Sequence, residues 1–419
     1  MQNNYYVPFT REMKKTHTIL MPNMLPMHFK MIRSILSGYG YRLELLETTG
    51  PEIAETGLKY THNDTCYPAI LVIGQMIHAL QSGKYDPRKT ALIMFQTGGG
   101  CRASNYISLI RKALAKAGFD YVPVISMSLA GIEKHPGWRL TVPMYLRMAY
   151  GVLYADLLMD LSNQCRPYEL SSGSADALAL HWIDTLSLEM RENRPSMKRL
   201  QENYRKILES FSSLPMDRSR KTVPVGVVGE IFVKYAPLGN NNLNAFLQQE
   251  GAEVVVPGLL GFCLYCVVNN IADQELYGLR PWRAMAARKI YAFLLRRQKE
   301  LIALMRENGN FRCPTPFDHT VSLIQGYIGL GAKMGEGWLL TAEMLELAEA
   351  GVTNIVCTQP FGCLPNHICG KGMMQPIKSR HPEVNIVAID YDAGASPVNQ
   401  ENRIKLMLAN AQPVAPEKR

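Results

Sequence analysis

Ala91-Leu92-Ile93-Met94-Phe95-Gln96-Thr97-Gly98-Gly99-Gly100-Cys101-Arg102 is the stretch on which the fold turns. Its first five residues are uninterrupted apolar side chains, the pattern of a strand buried on both faces. Residues 105–117 then carry apolar side chains at helical spacing. A strand, a glycine-rich loop and a helix in that order make half of a parallel crossover unit. Gly98, Gly99 and Gly100 let bare backbone come close to a ligand. Cys101 stands where the helix begins, and the positive end of a helix stabilises a thiolate.

The same alternation extends to either side. Residues 18–21, 42–46, 90–95 and 122–126 read as strands, with helices over 29–37, 67–81 and 105–117. Strands separated by helices predict a parallel sheet covered on both faces. Residues 141–214 read as helical, with a break at Pro195. Val225 to Ile231 restarts the pattern as a strand, followed by a helix over 242–250 and strands over 253–256, 354–357 and 385–390. Within this second half lie a helical insertion over about 271–308, a helix over 338–350, one near Gly372 and a last one over 402–411. The expected division is a first α/β domain over 1–140, a helical connecting region over 141–220 and a second α/β domain over 221–419.

A length of 419 residues is enough for two or three domains. With 47% hydrophobic and 19% charged residues the composition is that of a globular chain rather than a disordered one. The amino terminus shows no secretory signal. The uncharged stretch 254–272 is interrupted by Pro257, Gly258, Gly261, Asn269 and Asn270, which favours a buried strand and helix start over a membrane span. The expected location is cytoplasmic. A net charge of +9 is moderately basic, with much of the excess on 194–221 and 283–306. No nucleic-acid-binding motif accompanies it, so a solvated helix face or an acidic protein partner is the better reading.

Nine cysteines without secretory context argue against a disulfide framework and leave metal, redox or core roles. Ligands in open α/β sheets collect outside the carboxyl ends of strands. Cys101 lies in such a loop. Cys363 lies in another, within Cys357-Thr358-Gln359-Pro360-Phe361-Gly362-Cys363-Leu364-Pro365-Asn366-His367. Cys66, in Asn63-Asp64-Thr65-Cys66-Tyr67-Pro68, immediately precedes the 67–81 helix. Three thiolates arriving from three loops suit an iron–sulfur cluster, whose sulfurs accept backbone N–H bonds.

Competing motifs are weaker. Cys263 and Cys266 form a C-x-x-C inside an apolar run, which favours core packing. The glycine triplet is an anion nest in principle, but no P-loop consensus exists anywhere in the chain. Asp392-Ala393-Gly394-Ala395-Ser396 reads as a strand-ending turn. Cys363 and His367, four apart, can form a thiolate–imidazole pair, with no orienting carboxylate evident.

The three cysteine motifs resemble those of the carboxyl-terminal region of large acyl-CoA dehydratase activase-related proteins. That group belongs to the wider family of 2-hydroxyacyl-CoA dehydratase and benzoyl-CoA reductase subunits and double-cubane cluster proteins. Val228-Gly229-Glu230-Ile231, Gly335-Glu336-Gly337-Trp338 and Ile389-Asp390-Tyr391-Asp392 extend the resemblance along the chain. It implies two Rossmann-like parallel-sheet domains joined by a helical layer. It implies an iron–sulfur cluster, 4Fe-4S or double-cubane, held by Cys66, Cys101 and Cys363, with Cys266 or Cys357 as further ligands. It also implies a dimer and a separate actin-like ATPase activator with its own iron–sulfur cluster, which supplies low-potential electrons for a small substrate or an acyl-CoA. A non-catalytic electron-transfer or scaffold subunit and a cysteine-dependent acyl transferase remain open alternatives.

Overall fold

A computed structural model describes residues 6–95, 100–127 and 133–411. The fold is α/β, built on two four-stranded, all-parallel sheets. The first contains β1 (Thr18–Pro22), β2 (Leu43–Leu46), β3 (Thr90–Phe95) and β4 (Val124–Met127), in the order β2-β1-β3-β4. The second contains β5 (Val223–Gly229), β6 (Ala252–Val255), β7 (Asn354–Pro360) and β8 (Asn385–Tyr391), in the order β6-β5-β7-β8. The two halves therefore repeat one Rossmann-like topology without a sequence repeat. Ala91, Leu92 and Ile93 are buried, which explains why β3 reads as a continuous apolar run, and every residue of β7 is buried too.

The Val142–Cys165 helix joins the halves. It packs on the Pro26–Gly38 helix of the first half and on β6 of the second. Its Asp156 accepts from the Leu259 and Leu260 N–H groups at 2.7 and 2.8 Å, and pairs with His28 at 2.6 Å. One carboxylate thus satisfies the start of the Leu259–Tyr277 helix and holds it to the first half. One apolar core runs through both sheets, from Phe9 and Ile19 to Ile389 and Met407, and a second, smaller one gathers Val228, Ile355, Cys357 and Ile386 of the second sheet.

Among the boundaries that differ from the sequence reading, three have a clear physical cause. β5 ends at Gly229, whose φ of +142° turns the chain, so Glu230 caps the short Ile231–Tyr235 helix instead of continuing the strand. The helical insertion begins at Leu259, because the apolar face of 259–277 is buried in the core, and this places Cys263 and Cys266 inside a helix. The last helix starts earlier, at Pro397, after the turn at Asp392 where Ala395 donates to the Asp392 carbonyl at 3.1 Å. Among the described residues no helix is long and apolar enough to cross a membrane.

Candidate functional site

Cys66, Cys101 and Cys363 share one structural role: each is the residue immediately before a helix. Cys66 caps the Tyr67–Gln81 helix, with Pro68 in the first turn where its missing N–H costs nothing. Cys101 precedes the 3₁₀ turn Arg102–Asn105, which leads into the Tyr106–Ala117 helix. Cys363 follows β7 and caps Leu364–Cys369. At such positions the first N–H groups lack intrahelical acceptors and can serve a thiolate.

The N–H of Ala69 stabilises the Cys66 thiolate, those of Ala103 and Ser104 the Cys101 thiolate, and that of Asn366 the Cys363 thiolate. The Tyr106 hydroxyl lies 3.3 Å from the Cys66 sulfur, and Asn366 Nδ2 donates to the Cys363 sulfur at 3.4 Å. Burial nevertheless outweighs these donors, so all three thiols are raised, Cys363 to about 12. The Glu230 carboxylate works in the same direction on each of the three. The cysteines of the first half and the cysteine of the second therefore all feel the charge of one acidic group.

That group is one of a pair of carboxyls. Glu230 stands at the carboxyl end of β5, and its Oε2 accepts from the Val233 N–H at 2.8 Å. Glu336 is only 7% exposed; its Oε1 accepts from the Ile231 N–H at 3.0 Å and its Oε2 from Asn366 Nδ2 at 3.2 Å. Burial, followed by the charge of Glu336, pushes Glu230 up to about 8; burial raises Glu336 as well. Asn366 is fully buried, and its Oδ1 has no hydrogen-bond partner.

Of the glycine triplet only Gly100 is among the described residues; Gly98 and Gly99 lie outside them. The Gly100 N–H donates to the thioether of Met334, on the loop that carries Glu336, at 3.2 Å. Cys357 does not join the site: it is fully buried in β7 and packs with Met344, Ile377 and Ile386. Cys266 feels the charge of Glu336, yet it sits in the Leu259–Tyr277 helix, where burial pushes it up to about 12. His367 Nδ1 bonds the Cys363 carbonyl at 2.9 Å, so its ring serves the backbone instead of the thiol. All nine cysteines are free thiols.

Sequence reasoning missed Glu230, Glu336, Tyr106, Asn366 and Met334 as site residues. The first two carried a signal, since each glutamate adjoins a glycine with positive φ (Gly229; Gly335 and Gly337). A glycine forced into such a conformation beside a carboxylate marks a backbone bent to present that side chain.

The chemistry of the donor set fits a cluster with three protein ligands: three thiols from three separate loops, each at the start of a helix. Among the described residues no three His, Cys, Asp or Glu side chains form a group able to hold a single metal ion. The cysteine sulfurs of a multi-iron cluster stand further apart than the ligands of one ion. A cavity of about 140 Å³ lies elsewhere, lined by Asp156, Asp160, Arg312 and Glu346 among others. We place the site at the cysteines because their chemistry, not concavity alone, distinguishes it.

Fold and site together define an α/β chain with two parallel sheets, half-buried thiols at helix starts and a neighbouring pair of carboxyl groups. No protein-family model and no curated protein matches the chain.

Proposed function

We propose that this chain is an iron–sulfur component of the dehydratase or reductase type. Cys66, Cys101 and Cys363 would hold the cluster. Low-potential electrons would come from an ATP-hydrolysing activator with its own cluster and pass to a small substrate or an acyl-CoA. The observation that carries this reading is that three thiols at helix starts, on loops far apart in sequence, all feel the charge of the same carboxyl group, Glu230. The resemblance of the three cysteine motifs to the dehydratase family supports it independently.

When bound, such a cluster supplies one-electron chemistry at potentials reaching down to about −700 mV. The residues around it have separate tasks. Tyr106, Asn366 and the helix-start N–H groups stabilise negative charge on the sulfurs. Glu230 holds a proton at neutral pH, next to the thiols. Met334 beside Gly100, and Phe361 and Leu364 beside Cys363, are exposed apolar side chains near the thiols. Metal binding deprotonates thiols, so their raised values disfavour a free nucleophile but not a cluster ligand.

Anaerobic purification and reconstitution, with iron and sulfide counted, tests the reading. Wild type should carry a cluster, and Cys66→Ala, Cys101→Ala and Cys363→Ala should each lose most of it. Fewer than about one iron per chain in reconstituted wild type would sink the proposal. Turnover of an acyl-CoA with the ATPase present separates an enzyme from an electron-transfer subunit.

A further inference from the structure

We infer that the tip of the helical hairpin Leu259–Tyr277 and Pro281–Asn308 is the docking surface for an acidic protein partner, which covers the cysteine site. Leu276, Tyr277, Leu279, Trp282, Met285 and Ile290 are each at least 50% exposed. Single exposed apolar residues are ordinary, but six within fifteen positions of one hairpin form a patch of the kind that marks an interaction site. Tryptophan, tyrosine, methionine and arginine are also the residue types that anchor protein interfaces.

The patch runs on to the thiol centre. A Cβ placed on Gly331 would lie 2.8 Å from the Tyr277 hydroxyl and 3.8 Å from Leu276, so the hairpin tip rests on the loop that carries Met334 and Glu336. Lys333 of this loop pairs with Asp273 of the hairpin, and Tyr265 donates to the Lys333 and Gly335 carbonyls at 2.7 and 2.9 Å. Beyond Met334 the exposed surface continues with Phe361, Leu364 and Ile368 around Cys363.

Charge selects the occupant. Trp282, Met285, Lys289, Phe293 and Arg296 follow one another at helical spacing and form one stripe. Arg280, Arg283 and Lys289 have no carboxylate partner among the described residues, and Arg283 stacks on Trp282 at 5.0 Å. A second copy of this face would oppose cations to cations. A bilayer would have to take Lys289 into the middle of the apolar stripe, with Arg296, paired to Glu300, at its end, whereas surface-seated helices keep their cations on the polar face. A protein surface with carboxylates set among apolar side chains satisfies both features.

This inference deepens the proposed function, in which the partner is the ATP-hydrolysing activator. The test measures binding of the purified, ATP-loaded actin-like ATPase to the full chain by biolayer interferometry. Lys289→Glu with Arg296→Glu, and separately Trp282→Ala with Phe293→Ala, should each weaken Kd at least about tenfold, with iron content unchanged. Wild-type affinity should also fall as salt rises. In parallel, a photo-crosslinking residue at Met285 should mark an acidic peptide of the partner. Iron-loaded variants that bind as wild type does would overturn the docking surface alone, and an iron-free wild type would overturn the reading of the cysteine site alone. Crosslinks to a second copy of the chain, crosslinks to lipid, flotation with phosphatidylglycerol vesicles, or no crosslink would also overturn the docking surface.

Discussion

The backbone N–H of Gly100 donates to the thioether of Met334 at 3.2 Å, joining the glycine loop of the first half to the Glu336 loop of the second. A Cβ on Gly100 would lie 2.7 Å from that sulfur. The sulfur is near the end of a flexible side chain, so Gly100→Ala should push Met334 aside and change stability by less than about 1 kcal/mol. Removing the thioether with Met334→Ala should uncover the neighbouring Cys101, one residue along the chain. Both variants should accelerate alkylation of Cys101 several-fold, as read by peptide mass spectrometry of the metal-free protein. Unchanged labelling in both would show that Met334 does not cover the thiol.

Gly229 turns the chain so that Glu230 leaves β5 toward the cysteines. Its φ is +142°, and a Cβ there would lie 1.9 Å from the Thr358 carbonyl oxygen of β7. That carbonyl also accepts from the Glu230 N–H at 3.1 Å. Rigid backbone cannot yield as a methionine tip does. Gly229→Ala should therefore cost more than about 3 kcal/mol or leave no folded protein. Gly251 is the control: its φ is +81° and no atom lies within 4 Å of its would-be Cβ. Gly251→Ala should cost only about 1 kcal/mol, the conformational penalty alone. Urea denaturation of the two variants checks the contrast, and equal losses would refute it.

Much of the architecture was legible because buried parallel strands and their covering helices each have their own periodicity. β3 and the Tyr67–Gln81 helix match the reading residue for residue, since Pro68 and the apolar run fix their ends. The cysteine positions were legible for a related reason: each sits beside a turn or helix-start residue, such as Pro68, Gly100 or Pro365. The acidic centre was not. Glu230 and Glu336 are over a hundred residues apart, and their approach follows from the pairing of β5 with β7 and from the loop before Trp338. Local pattern carries no information about such a meeting. The hairpin start was misplaced because Leu259–Tyr277 is so apolar that its first turns resemble a strand continuation.

Lys234 and Glu343 form an ion pair at 2.9 Å in which both side chains are 3% exposed. Removing one partner leaves a buried, unpaired charge, whereas replacing both by apolar groups does not. Glu343→Ala should cost about 3–5 kcal/mol, and Lys234→Met combined with Glu343→Leu should recover most of that loss. Chemical denaturation of the single and double variants reads the difference. A single variant that loses no more than about 0.5 kcal/mol, as a surface change would, is incompatible with the pair as described.

Glu230 gives the metal-free protein an inverted dependence on pH. Its carboxyl is raised from 4.5 to about 8, by burial first and by Glu336 next. Between those values the folded chain holds a proton that the unfolded chain has released. The stability this group contributes is thus fully present below about pH 4.5 and declines as pH rises to about 8, opposite in sign to a salt-bridged carboxylate. For one proton the slope is at most about 1.4 kcal/mol per pH unit. Glu230→Gln keeps an oxygen for the Val233 N–H and cannot ionise, so this decline should disappear. Urea unfolding across about pH 5 to 8 should show the variant matching wild type at the acid end and exceeding its stability at the alkaline end. Parallel curves for the two proteins would mean that Glu230 is ionised in the fold, and that the thiols stand near a carboxylate rather than a carboxylic acid.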